Sequence, residues 1–314
     1  MARRLVVVAA LSIAALLTAG CAPPPPAPDP PPAVTGPSPG CGSTTRGPVT
    51  DRSETIKVGD QTRMYSITVP PQHRPGTKRP IPLVLDFHGF LEGVVGTHPV
   101  ATQLSAKAAA EGFAVVFPTG SVGGLLWDIS QSESNPDLHF VDAIISELGS
   151  TMCIDRSRVY VTGLSYGAFM TSMLMCMRPN TFAAAAPVAG IQNACGPTER
   201  SVPFVTFHGT GDWMLPFALF ADTPGQIAEK YGCAKPVSTT LQPAPDPATG
   251  GDIVHTTWDC RKAHTAAESY VIGGGGHTWP GSTFFTLVGF LVGATPTSLD
   301  ATDVMWDFFS RHHL

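Results

Sequence analysis

A chain of 314 residues that is 43% hydrophobic and 14% charged, with a mean hydropathy of +0.12, carries enough apolar content for a sizeable core and is not a disordered polymer. Its 19 Lys and Arg stand against 24 Asp and Glu, which excludes a nucleic-acid binder that works by neutralising phosphates. The one long apolar run lies at the N-terminus, which excludes a multi-span membrane protein.

That run reads as an export signal, with Arg3 and Arg4 as its positive start and Leu5 to Leu17 as its apolar stretch. It ends in Leu17-Thr18-Ala19-Gly20-Cys21, which resembles the lipobox of bacterial lipoproteins, with Thr18 where that pattern prefers Leu. The expectation is a signal peptide over residues 1–20 and lipidation of Cys21 on the outer face of the cell membrane. Cleavage near Ala19 or Ala22, releasing a secreted protein, is the alternative. Loss of Arg3 and Arg4 leaves the exported form more acidic, so contact with the membrane is expected through the lipid only. Residues 21–40 carry the proline runs Pro23 to Pro26 and Pro30 to Pro32 and are predicted to form a polyproline II tether. The folded domain is then expected over residues 41–314.

From residue 50 onward, strands and helices alternate. Thr55 to Val58 and Met64 to Val69 flank Gly59-Asp60 and predict an antiparallel hairpin. Short apolar runs typical of buried parallel strands follow at Leu83 to Phe87, Ala114 to Phe117, Val159 to Thr162, Ala183 to Val188, Phe204 to Phe207 and Ser269 to Ile272. Helical patterns lie between them at Val100 to Glu111, Leu138 to Leu148, Tyr166 to Met177 and Thr223 to Tyr231, and a last one covers Leu299 to Arg311. This order predicts an α/β fold, a mostly parallel sheet of about eight strands with helices on both faces.

Gly163-Leu164-Ser165-Tyr166-Gly167 sits between a predicted strand and a predicted helix, the setting in which such a motif forms a sharp elbow that exposes a nucleophilic serine. Gly36-Pro37-Ser38-Pro39-Gly40 matches the same letters without a strand before it, and Pro39 has no N–H to offer an oxyanion. A serine hydroxyl needs a base for its proton and an acid to orient that base. Phe204 to Asp212 and Tyr270 to His277 are each a strand followed by a Gly-rich turn, ending in a carboxylate and in an imidazole. Asp212 and His277 are therefore the expected acid and base. His208 precedes its turn and is expected to shape it; His73 and His98 read as loop positions. The oxyanion hole is expected from the N–H groups of Tyr166 and of Phe90, in the His88-Gly89-Phe90 loop, with Leu91 as the second choice and His88 as a loop-holding residue.

Beyond Cys21 the chain has Cys41, Cys153, Cys176, Cys195, Cys233 and Cys260, an even number that implies disulfides in an exported protein. Strand and helix legs of similar length around Ser165 return Cys153 and Cys176 to one end of that unit and predict their pairing. No Cys-x-x-Cys spacing occurs, so zinc and thioredoxin-like readings fail; no metal and no cofactor is expected. Trp279, Phe284 and Phe285 are assigned to the substrate pocket. The apolar segment Thr283 to Gly293 is either core or a flap over the site.

The elbow with Cys153 to Thr162 before it, Phe207 to Asp212, the Gly273 to Gly281 run (GGGGHTWPG) and Asp300 to Phe309 (DATDVMWDFF) together resemble the poly(3-hydroxybutyrate) depolymerase-like and feruloyl-esterase-like branch of the α/β-hydrolases, in the lipoprotein form of the Lpq-type mycobacterial esterases. The resemblance covers about residues 41–314. It implies Ser165, Asp212 and His277 as the triad and a Cys233–Cys260 bridge, which leaves Cys41 to join Cys195. Tyr166 and Ala168 depart from the Asn and second Gly more common in that elbow. The implied function is a serine carboxylic-ester hydrolase acting on an ester substrate, polymeric or aromatic, with no nucleic-acid partner. An envelope acyltransferase with the same triad and a non-catalytic envelope lipoprotein are the alternatives.

Overall fold

In the computed structural model, the described residues are 32–90, 92–196, 200–241, 245–261 and 265–314. The export signal, Cys21 and most of the Pro-rich tether lie outside them. The described strands are β1 (Val49–Val58), β2 (Gln61–Val69), β3 (Ile81–Phe87), β4 (Ala114–Pro118), β5 (Ile154–Leu164), β6 (Ala184–Val188), β7 (Phe204–Gly209), β8 (Cys233–Thr240), β9 (Ile253–Cys260) and β10 (Ala267–Ile272). The helices are α1 (Glu92–Val95), α2 (His98–Thr102), α3 (Leu104–Glu111), α4 (Pro136–Thr151), α5 (Tyr166–Met177), α6 (Thr223–Lys230), α7 (Thr283–Leu287), α8 (Gly289–Val292) and α9 (Ala301–Ser310).

All ten strands join one sheet in the order β1-β2-β4-β3-β5-β6-β7-β10-β9-β8. The centre, from β4 through β10, is parallel, and antiparallel strands close both edges. Every residue of β3, β4, β6 and β7 is buried, as continuous apolar runs require when both faces of a parallel sheet are covered. One face packs Leu83, Leu85, Val161, Met170 and Leu174 against α4 and α5. The other packs Val84, Tyr160, Val205 and Phe207 against α3 and α9.

Ten strands replace the eight expected. The additional pair, β8 and β9, forms the far edge of the sheet. β8 (CAKPVSTT) is exposed nearly throughout and contains Pro236, so it lacks the apolar run that marks a buried strand. The single helix expected over Val100 to Glu111 is two, broken at Gln103, whose φ of 58° ends α2.

Residues 36–40, expected in the tether, pack on the domain. Pro37 bridges to Asp155, Ser38 Oγ donates to the Met152 carbonyl at 2.8 Å and accepts from Ile154 N–H at 2.9 Å, and Gly40 N–H donates to Gly149. These bonds bury Ser38, the decoy serine, and lead Cys41 to Cys153.

Two of the expected disulfides are therefore corrected. Cys153 pairs with Cys41 rather than with Cys176, and Cys176 pairs with Cys195 rather than leaving Cys195 to Cys41; Cys233–Cys260 forms as expected. The return legs around Ser165 are unequal. β5 runs 11 residues, about 36 Å at strand rise, while the 12 residues of α5 return only about 18 Å. Cys176 thus stops well short of Cys153 and meets the segment after β6, which crosses α5 where Gln192 N–H donates to Ser172 Oγ.

Peptide mapping without reduction should recover these three pairs. In a chain-entropy account, with separations of 112 and 19 residues, replacing Cys41 and Cys153 by Ser should lower stability by about 4–5 kcal/mol, against about 3 for Cys176 and Cys195. Denaturant unfolding of the two double variants checks the order.

Candidate active site

Parallel register delivers the candidate residues to one edge. Phe87 pairs with Gly163, Leu164 with Val188, Val188 with Phe207, and Gly209 with Ile272, so β3, β5, β6, β7 and β10 end together. Ser165 follows β5 directly, Asp212 lies three residues past β7, and His277 lies five past β10.

Ser165 adopts φ 58° and ψ −116°, a conformation that costs an L-residue on the order of 1–3 kcal/mol and persists only where its surroundings impose it. The crowding is visible at the motif glycines. A Cβ on Gly167 would lie 1.9 Å from the Phe87 carbonyl oxygen, and one on Gly163 would lie 2.6 Å from the Gly167 carbonyl carbon. The elbow is further held by Ser165 N–H donating to the Val188 carbonyl at 2.9 Å. Tyr166 opens α5, so its N–H is among the four that no intrahelical carbonyl reaches.

Asp212 and His277 are brought together. His277 Nδ1 lies 2.7 Å from Asp212 Oδ2, and both side chains are buried. The other oxygen, Oδ1, accepts from the N–H groups of Met214 and Leu215 at 3.0 and 2.8 Å. With Nδ1 bonded to the carboxylate, Nε2 is the ring nitrogen of His277 that this bond leaves for another partner.

His208 contributes to the same carboxylate. Its Nε2 lies 2.9 Å from the Leu215 carbonyl and 3.3 Å from Asp212 Oδ2; a carbonyl only accepts, so Nε2 carries a proton and His208 is not a competing base through that atom. Burial works to raise the pKa of Asp212. The hydrogen bonds from His208, His277 and Leu215 N–H outweigh it and hold the carboxyl well below its usual range.

The loop after β3 lies against the elbow, where a Cβ on Gly89 would meet Ser165 Cβ at 3.5 Å. Within it, Gly120 N–H donates to His88 Nε2 at 3.0 Å, so the ring proton is on Nδ1, which donates to the Gly89 carbonyl at 2.8 Å. Burial lowers the His88 pKa to about 4, keeping the ring neutral. Trp127 packs on that ring and donates from Nε1 to the His88 carbonyl. Phe90 is half exposed.

Sequence reasoning missed Glu92 and Trp127 and placed His98 in a loop. His98 instead opens α2, buried between Asp86 and Glu92. The carboxylate next to the end of β3, Asp86 within an otherwise apolar strand, was the signal available for that arrangement.

The apolar segment after His277 is divided between core and surface. Trp279 is 1% exposed and donates its indole N–H to Thr302 Oγ1, and Phe285 is buried in the same cluster, so both belong to the core beneath α9 rather than to an open pocket. Phe284 is half-buried, whereas Leu287 and Phe290 of the α7–α8 turn are about four-fifths exposed. The segment returns to the main chain at His277, whose backbone N–H donates to the Val292 carbonyl at 2.7 Å. Beside the elbow, the rings of Tyr166, Phe169, Phe220, His208 and Phe217 follow one another at centroid spacings of 5.3 to 6.2 Å, from α5 to the loop after β7.

Gly167→Ala should destabilise the fold by more than about 2 kcal/mol, because the new methyl meets backbone that cannot yield; equilibrium unfolding measures this. The folded-state pKa of Asp212 is depressed, so its contribution to stability is present above the unfolded value of about 3.9 and is lost as pH falls through the folded value. The stability difference between the wild type and Asp212→Asn should be constant above about pH 5 and shrink below about pH 4. A gap that stays constant to lower pH contradicts the depressed carboxyl.

The Prolyl oligopeptidase family model matches residues 108–212, from α3 to the candidate acid. The chain is 30% identical over 300 residues to the putative esterase NocK of Nocardia uniformis subsp. tsuyamanensis, covering 84% of each protein. It is 26% identical over 266 residues to feruloyl esterase D of Neurospora crassa, covering 78% of this chain and 83% of that one. The match to the bifunctional acetylxylan esterase/xylanase XynS20E of Neocallimastix patriciarum, 28% identical over 232 residues, covers 73% of this chain and only 31% of that protein's length. In structure, the acetyl xylan esterase from Aspergillus awamori shares the fold with a TM-score of 0.54 at 20% identity, over 76% of this chain and 99% of that one. The parallel sheet with its elbow, together with the relationship to NocK along most of both chains, shows that this protein belongs to the esterase-like α/β-hydrolase family.

Proposed function

We propose that this chain is an exported serine carboxylic-ester hydrolase in which Ser165 is the nucleophile, His277 the general base and acid, and Asp212 the residue that orients the imidazole. The observation that carries this reading is the 2.7 Å bond between His277 Nδ1 and a buried, fully hydrogen-bonded Asp212, at the sheet edge where Ser165 stands on its strained elbow. Ser165 Oγ attacks the ester carbonyl carbon while His277 Nε2 takes its proton, and the carbonyl π electrons move onto oxygen. The N–H groups of Tyr166 and Phe90 stabilise that oxyanion. Collapse expels the alcohol, protonated by His277, and leaves an acyl-enzyme. Water then attacks with His277 again as base, releasing the acid and restoring Ser165.

The ring series from Tyr166 to Phe217 supports an aromatic or otherwise apolar acyl group, of the kind named for the feruloyl esterase relative. Three disulfides support an oxidising, extracytoplasmic location. Lipidation of Cys21 then tethers the domain to the outer face of the membrane.

Ser165→Ala should fold normally and lose about 10⁶-fold in turnover of p-nitrophenyl acetate and methyl ferulate. Peptide mapping after reaction with an organophosphonate should place the adduct on Ser165. Labelling of another serine, or undiminished hydrolysis in the variant, overturns the assignment. Preferential appearance of a new ester when an alcohol acceptor is added identifies a transferase instead.

A further inference from the structure

Gly89 is held from both sides by side chains. Its N–H donates to Glu92 Oε2 at 2.7 Å, and its carbonyl accepts from His88 Nδ1 at 2.8 Å. In a trans peptide the carbonyl and the following N–H point in opposite directions, so these bonds fix the plane from which Phe90 N–H projects, away from His88.

Glu92 is itself held. His98 places Nδ1 3.1 Å from Glu92 Oε2 and Nε2 2.9 Å from Asp86 Oδ1. Ionised carboxylates only accept, so both ring nitrogens carry protons and His98 is a buried imidazolium between two anions. Burial opposes that charge, and Asp86 and Glu92 outweigh it, raising the imidazole pKa well above its ordinary value. The assembly serves stability poorly: Asp86 is fully buried, and its Oδ2 has no hydrogen-bond partner among the described residues. Buried ion groups of this kind are typically matched or exceeded in stability by apolar residues of the same volume. What the assembly does achieve is a rigid connection from the end of β3 to the Gly89 N–H.

We propose that His98 is a positioning residue for ester hydrolysis, acting through Glu92 to hold the Gly89 N–H and so aim the Gly89–Phe90 peptide as an oxyanion donor. This rests on the serine-hydrolase reading above, with Phe90 N–H as one of the two donors.

The test compares His98→Asn, Glu92→Ala and Glu92→Gln with the wild type. It measures kcat and KM on p-nitrophenyl acetate, the thermal midpoint, and the affinity for an aryl trifluoromethyl ketone, whose adduct with a serine carries an oxyanion. Loss of a whole oxyanion donor costs about 10²–10³ in kcat, so misplacing one should lower kcat about 10- to 100-fold in His98→Asn and Glu92→Ala. KM should stay within about twofold, and ketone affinity should fall by a factor similar to that in kcat. Glu92→Gln keeps an acceptor for the Gly89 N–H and should retain kcat within about threefold. A purely structural role predicts a lower thermal midpoint with kcat and ketone affinity of the folded enzyme unmoved, and that result overturns the proposal. Should His98→Asn fail to fold, equal kcat in Glu92→Ala and Glu92→Gln overturns it alone. If Ser165→Ala is inactive while these variants are not impaired, only the positioning role fails; if Ser165→Ala is active, the hydrolase reading fails first.

Discussion

The organisation of the active edge depends on the close approach of two backbones. The start of α5 comes so near the end of β3 that a single methyl on Gly167 would fall 1.9 Å from the Phe87 carbonyl oxygen. Only glycine satisfies that distance, and the chain must turn abruptly at Ser165 to achieve it, at φ 58°. The strain is sustained by the neighbouring strands, whose buried apolar runs keep β3, β5 and β6 in register. The same approach sets the loop after β3 beside the serine, so the candidate nucleophile and the proposed oxyanion loop are products of one packing constraint.

Around that edge, three histidines are placed in three electrostatic states. His88 is buried without a countercharge and is neutral, with its proton directed to a carbonyl by the Gly120 N–H on its other nitrogen. His98, buried between two carboxylates, is an imidazolium. His277 faces one carboxylate, through Nδ1 alone. The difference lies in what each ring nitrogen meets, since the depth of burial is similar in all three. Two of the rings hold the loop after β3, while the third is the candidate base.

The opposite end of the sheet is secured covalently. Residues 36–40 bond along the chain that enters β5, and the Cys41–Cys153 bridge closes over them, so the N-terminal end of the described domain is anchored to the same strand that delivers Ser165. Cys176–Cys195 ties α5 to the segment after β6. Both bridges thus brace the β5–α5 unit whose elbow is under strain.

The parallel sheet, the elbow and the three candidate catalytic residues were legible in the sequence because each depends on local grammar. Buried parallel strands are short apolar runs; Ser165 follows one directly between Gly163 and Gly167, and Asp212 and His277 follow theirs through glycine-rich turns. The strand β8 was not legible, because an exposed edge strand has no apolar signature and tolerates Lys235 and Pro236. Cysteine pairing depended on how far β5 extends beyond its apolar half, a length that residues 155–158, half-buried and polar, do not reveal. The segment 283–292 reads as uniformly apolar, yet Phe285 is buried and Phe290 is exposed, because the bond from His277 N–H to Val292 bends it back to the site and leaves only one side against α9. His98 looked like a loop residue until β3 brought Asp86 to it across 12 residues of chain. Local pattern determined which side chains are candidates for the chemistry; the hydrogen-bond partners and electrostatic surroundings of the buried groups were decided only when distant segments were packed together, since both depend on which partner atoms each buried group meets.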